Sequence, residues 1–147
     1  MILPVIALLG VVLFANSQLP PPLASTMELA AWSRCEIPMI AYYVGQRVEY
    51  APQAVWLPAD AVIAAGRGDC KGKAVVARDA LLACGHEARV VILRTGTGKA
   101  TKRHAIAVYT DAQGRRGYVD DNYYNTYDPG TAWADLIAKR WRGWSVE

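Results

Sequence analysis

Between Cys70 and Cys84 the residues Cys70, Ala74, Ala77, Leu81 and Cys84 recur at three- and four-residue steps, which places them on one stripe of an α-helix. Gly85 follows directly, so the spacing predicts a helix over 70–84 that stops at a glycine. Upstream, 23–33 reads as a helix with Ser25 or Thr26 as its cap, and 58–65 as a short helix that starts at Pro58 and ends at Gly66. The stretch between them, through Pro38 and Gly45, reads as irregular.

Downstream the period changes. Residues 88–94, Ala-Arg-Val-Val-Ile-Leu-Arg, read as a buried strand, and the Gly/Thr/Lys-rich 95–102 as a loop. Residues 104–110 and 116–121 form two strand-like runs around Asp111-Ala-Gln-Gly114, which predicts a hairpin with His104, Ile106 and Val108 on one face. A final amphipathic helix is expected over 130–139, with Trp133, Trp141 and Trp144 closing the core or covering an edge. There is no internal repeat and no linker, and 147 residues at 53% hydrophobic suffice for one domain with its own core.

Residues 1–15 carry no charged side chain, and the apolar run is short for a membrane span but suited to the hydrophobic region of a signal peptide. Ala15-Asn16-Ser17 offers the small residues of a cleavage site, followed by an extended Pro20-Pro21-Pro22. The expected organisation is therefore an export segment over 1–17, a helical lead-in over 18–43 and the main domain over 44–147. The protein is expected in the periplasm or outside the cell, with membrane association through 1–15 if that segment is not cleaved.

A formal net charge of +3 selects no partner, and the basic run from Lys99 to Arg103 lacks the interleaved aromatics of a nucleic-acid groove. Three cysteines cannot all pair within one chain, so an oxidising compartment leaves at least one thiol free. Cys35 and Cys84 either pair, leaving Cys70 reduced, or remain two buried thiols.

Chemistry concentrates at Cys70. A thiol in the first turn of a helix lies beside unpaired backbone amides, which favour the thiolate. The preceding Gly66-Arg67-Gly68 lets a substrate approach, and the Cys70 amide is positioned to stabilise an oxyanion. Of the two histidines, His86 lies a whole helix away from Cys70, so His104 is the candidate base. If residues 111–114 form a four-residue loop, Thr110 pairs with Arg115 and His104 faces Asp121, the expected orienting carboxylate. A one-residue bulge brings Asp120 or Asn122 there instead.

Gly68-Asp69-Cys70, Leu81-Leu82-Ala83-Cys84-Gly85-His86-Glu87-Ala88-Arg89, His104-Ala105-Ile106 and Asp121-Asn122 resemble the transglutaminase-like superfamily. Within it they are most similar to the bacterial transglutaminase-like cysteine proteinases. The segments 44–50 and 55–60 extend the resemblance upstream. It implies an α+β, papain-like core, with N-terminal helices, the cysteine helix among them, packed on a small antiparallel sheet. It also implies a Cys70-His104-Asp121 triad that attacks an amide and forms an acyl-enzyme released to water or to an amine. A catalytically idle module binding a partner in the same cleft is the alternative of another class.

The implied substrate is a protein or peptide, and the implied oxyanion helper is Gln46 or Trp56. Members of that branch commonly carry an acidic residue after the cysteine and bind calcium near it. Lys71 stands there in this chain, so no calcium requirement and no cofactor are expected.

Overall fold

Ser25 opens the first helix, α1 (Thr26–Ser33), by accepting a hydrogen bond from the Glu28 amide at 3.2 Å, while the Glu28 carboxylate takes the Ala24 amide. The computed structural model describes residues 19–127 and 129–147; the segment read as an export signal lies outside them.

The stretch expected to be irregular is instead a second helix, α2 (Ile37–Arg47). Pro38 falls in its first turn, where an absent amide proton breaks no helical bond. Gly45 is there for contact: a Cβ at this position would run into the Asn122 side chain, so glycine lets α2 lie against the turn after a distant strand.

β1 (Glu49–Tyr50) pairs in parallel with β2 (Arg67–Gly68), and between them α3 (Ala59–Ala65) ends at Gly66 with φ 67°. α4 (Cys70–Ala83) follows at once. It ends as its glycine predicts, with Gly85 at φ 81° and the His86 amide returning to the Leu81 carbonyl at 3.1 Å.

A five-stranded antiparallel sheet takes up the rest. β3 (Glu87–Thr95), β4 (Lys102–Thr110), β5 (Arg116–Asp120), β6 (Tyr123–Thr126) and β7 (Ser145–Val146) lie in the order β6-β5-β4-β3-β7. The final helix is α5 (Trp133–Arg140). The short strands β6 and β7 were not expected from the sequence, because neither shows an apolar alternation.

Strand alternation divides the core between the two faces of the sheet. Ala107, Tyr109 and Val119 pack against Leu29, Ile40, Val44, Val62, Val76 and Leu81 of the N-terminal helices. On the other face Val91, Leu93, Ile106, Val108 and Tyr118 meet Ile137 of α5, with Trp133, Trp141 and Trp144 packed around them. Leu81 is fully buried, and truncating such a side chain to alanine costs about 2–5 kcal/mol.

Cys35 and Cys84 form a disulfide with their Cα atoms 5.5 Å apart, tying the end of α4 to the link between α1 and α2. A closed loop of this length restricts the unfolded chain by on the order of 4 kcal/mol. Cys70 is the free cysteine.

Candidate active site

Asp69 builds the start of α4. One of its carboxylate oxygens accepts the amides of Lys71 at 3.0 Å and Gly72 at 3.2 Å, and the other takes the Lys71 ammonium. Among the described residues no side chain caps the Cys70 amide, the first of the helix, which lies beside its own thiol. Burial opposes the charge on Asp69, but the bonds from Lys71 and Gly72 outweigh it and hold the carboxyl below its ordinary range. The Cys70 thiol and the His104 ring face the same two cavities, and His104, with the backbone at Ala105, favours the charged form of the thiol.

The register of β4 and β5 decides which carboxylate meets His104. The four-residue loop expected from the sequence would pair Thr110 with Arg115 and face Asp121 to the imidazole. In the structure Thr110 pairs with Arg116, and the loop holds five residues. Asp111 organises it: its carboxylate accepts the amides of Gln113 at 3.0 Å and Arg115 at 2.9 Å and pairs with the Arg115 guanidinium at 2.7 Å.

A slip of one residue exchanges the faces of a strand. Continuing the observed pairing sets Asp120 across from Ile106, on the face that carries His104. His104 Nε2 accordingly lies 2.7 Å from Asp120 Oδ1. Asp121 has left the strand at φ 55° and pairs with Lys73 Nζ at 2.8 Å, and Asn122 packs against Gly45. Asp120, not the expected Asp121, is the carboxylate on the imidazole.

Electrostatics follow from these contacts. The Asp120 hydrogen bond, then the bond to Cys70, push the His104 pKa up from 6.5 to about 10, against the effect of burial. The His104 bond in turn lowers the Cys70 pKa below 9.0, again against burial. Each group thus favours the charged form of the other, the thiolate beside the imidazolium.

Two cavities flank this pair. One, of about 420 Å³, is lined by Trp56, Lys71, Ile92 and Glu147, and the other, of about 340 Å³, by Tyr50, Lys73, Tyr123 and Arg140. Cys70 and His104 border both. Trp56 therefore reaches the site. Gln46, the other residue named as an oxyanion helper, is exposed on α2 and lines neither cavity. The glutamine against the nucleophile loop is Gln53, whose Oε1 accepts the Asp69 amide at 3.4 Å and abuts Gly68 and Gly72. His86 lies beside Tyr109, its ring centroid 6.2 Å away, apart from the site.

Sequence reasoning missed Gln53, Lys73 and Arg140. Lys73 had a signal, since it stands three residues after Cys70 on the same helix; Gln53 and Arg140 had none.

Calcium does not fit the position after the cysteine. A hard cation needs several oxygen ligands, whereas both oxygens of Asp69 are already engaged and Lys71 adds a positive charge. Among the described residues no group of three His, Cys, Asp or Glu side chains is disposed to hold a metal.

A cysteine that opens a helix and meets a strand histidine backed by a carboxylate, on an α+β core, is the papain-like arrangement. The family model described as Transglutaminase-like superfamily matches residues 23–141, and the chain belongs to that superfamily. Its fold is also that of solved structures of Legionella pneumophila LapG. The calcium-bound LapG structure superposes with a TM-score of 0.52 at 13% identity, over 75% of this chain and 60% of that one. A second LapG structure gives 0.53 at 12%, over 86% and 83%, and an EGTA-treated one 0.52 at 11%, over 86% and 81%. The protein thus spans 60% of the length of the first of these chains. No curated protein sequence matches it.

Proposed function

We propose that the protein is a cysteine-dependent peptidase or amidase in which Cys70 is the nucleophile, His104 the proton carrier and Asp120 the group that orients it. The observation that carries this reading is that Cys70 and His104 border the same two cavities while His104 Nε2 lies 2.7 Å from Asp120 Oδ1.

The Cys70 thiolate attacks the carbonyl carbon of a bound amide, and the C–O π electrons move onto oxygen, facing the Cys70 amide at the start of α4. As the C–N bond breaks, the His104 imidazolium gives its proton to the departing amine, leaving a thioester on Cys70. Neutral His104 then takes a proton from water as the water adds to the thioester. Collapse re-forms the carbonyl and breaks the C–S bond, so that the carboxylic acid leaves and the Cys70 thiolate stands again beside the His104 imidazolium, which keeps the proton taken from water. Asp120 stays ionised and holds the ring.

The substrate class is a protein or peptide, supported by cavities on both sides of the nucleophile, which accommodate chain on either side of the scissile bond. An exported location, with residues 1–17 as the export segment, is supported by the Cys35–Cys84 disulfide, a bond that persists in oxidising compartments. Among the described residues no helix is long and apolar enough to cross a membrane.

Labelling the intact chain with iodoacetamide and mapping the modified residue tests the nucleophile, and a Cys70→Ala variant on a peptide library tests turnover. Modification at Cys70 together with loss of turnover in Cys70→Ala is expected. Turnover retained by Cys70→Ala overturns the reading.

A further inference from the structure

Asp120 has two oxygens, and His104 uses one of them. The other, Oδ2, faces the Arg140 guanidinium, with Nη2 3.5 Å away. Arg140 is the last residue of α5, twenty residues beyond Asp120, and it reaches the site from the face of the sheet opposite the N-terminal helices. A basic residue at a helix end has an ordinary explanation in the helix dipole. That explanation requires only a positive charge near the last turn, not a guanidinium held in one place.

This guanidinium is held by aromatic rings. Its central carbon lies 4.8 Å from the Tyr123 ring centroid, 5.2 Å from that of Trp141 and 5.8 Å from that of Tyr118. Planar guanidinium groups stack on such faces and lose little freedom when they then bind a carboxylate. Tyr123 opens β6, immediately after the turn that carries Asp121, so the same short segment positions both the carboxylate and the ring over its cation.

We propose that Arg140 is a positioning residue of the site: it restrains the Asp120 oxygen that His104 leaves free, so that the other oxygen stays aimed at the imidazole. The inference deepens the hydrolase reading and rests on it for the role of His104. The charged neighbours around Asp120 are His104 from β4, Lys73 from α4 with its partner Asp121, Arg103 at the entrance to β4, and Arg140 itself. Lys73 is engaged by Asp121, and Arg103 by Glu147 at 2.7 Å, so among these neighbours Arg140 is the cation that pairs with Asp120 beside the His104 ring itself. With Arg140 gone, the carboxylate is free to turn about its Cβ–Cγ bond and share its time between the ring and the water of the cavity. The C-terminal helix is on this account part of the catalytic group as well as a cover for the core.

The test measures the second-order rate of Cys70 alkylation by iodoacetamide across pH in the full chain. Wild type is compared with Arg140→Gln, Arg140→Lys, Asp120→Asn and the double variant Asp120→Asn/Arg140→Gln. Arg140→Gln should narrow the pH range over which the thiolate–imidazolium pair reacts, with both limbs moving towards ordinary thiol and imidazole values, and slow the plateau rate several-fold. Arg140→Lys should recover part of that loss. In the Asp120→Asn background Arg140→Gln should add nothing, because the carboxylate it acts through is gone.

A profile for Arg140→Gln that superposes on wild type overturns the inference, and so does an equal effect in both backgrounds. If Arg140→Gln does not fold, Tyr123→Leu removes a ring that holds the guanidinium and keeps the carboxylate of Asp120, its strand partner; it should shift the profile in the same direction to a smaller extent, and an unshifted profile overturns the inference. Iodoacetamide is not an amide substrate of the proposed reaction, so the outcomes separate. A wild-type chain with a reactive Cys70 and no turnover sinks the hydrolase reading alone, whereas an unmodified Cys70 sinks both.

Discussion

Lys73 Nζ lies 2.8 Å from Asp121 Oδ1, which ties the turn after β5 to the helix that carries the nucleophile. Lys73 is 6% exposed, so its ammonium has little access to water and its bond to Asp121 matters to both groups. This pair takes Asp121 away from the imidazole and fixes the turn in which the neighbouring Asp120 is presented to His104. Two adjacent carboxylates therefore have separate roles, and the variants that remove them should behave differently.

Replacing Asp120 with Asn should lower turnover by on the order of 10²-fold or more, since the imidazolium loses the charge that stabilises it. The same variant should bring the His104 pKa down from about 10 towards 6.5. Asp121→Asn should lower turnover much less and act mainly on stability, because it leaves the buried Lys73 ammonium without its partner carboxylate. Iodoacetamide profiles and urea midpoints of the two proteins check both statements, and equal profiles would contradict the assignment.

The pH dependence follows from the two shifted groups. His104 is raised, so the stability it contributes is fully present below 6.5 and is lost as pH rises through about 10. Cys70 is lowered, so its contribution is present above 9.0 and is lost as pH falls through the depressed thiol value. Activity should trace a bell, with an acid limb below 9.0 from the thiol and an alkaline limb near 10 from the imidazolium. A kcat/KM profile still rising through pH 10 would contradict the pairing.

Gly45 sets how closely α2 approaches Asn122. Alanine favours the helix by up to about 1 kcal/mol, but overpacking a tight contact typically costs about 1–3 kcal/mol. Gly45→Ala should therefore lower the urea midpoint. It should also slow Cys70 alkylation, because the displaced Asn122 belongs to the turn that positions Asp120. An alanine variant as stable and as reactive as wild type would show that the turn yields freely.

Chelation gives a direct reading of the Lys71–Asp69 pair, which occupies the region after the cysteine with a resident cation. EDTA treatment should leave both the rate of Cys70 alkylation and the melting temperature unchanged. Loss of either on EDTA treatment, with recovery on added calcium, would contradict this.

What could be read along the chain is what local rules control. The helix from Cys70, its glycine stop after Cys84, the strand from His104 and the polar turn that follows depend on spacing and on residues within a few positions of one another. Helix α2 escaped this reading because Pro38 and Gly45 signal a break wherever their surroundings are unknown; a first-turn position excuses the proline, and only contact with Asn122 explains the glycine.

By itself the sequence located the thiol and the imidazole on which the proposed function rests, since a thiol at a helix start and a histidine opening a strand are local placements. Tertiary structure decided the third member. The Asp111 carboxylate drew one more residue into the hairpin loop, and because strand faces alternate with a period of two, that single step exchanged Asp121 for Asp120. Arg140 and the Cys35–Cys84 bridge likewise join positions far apart in the chain, whose meeting depends on how the helices and the sheet pack and on no local pattern.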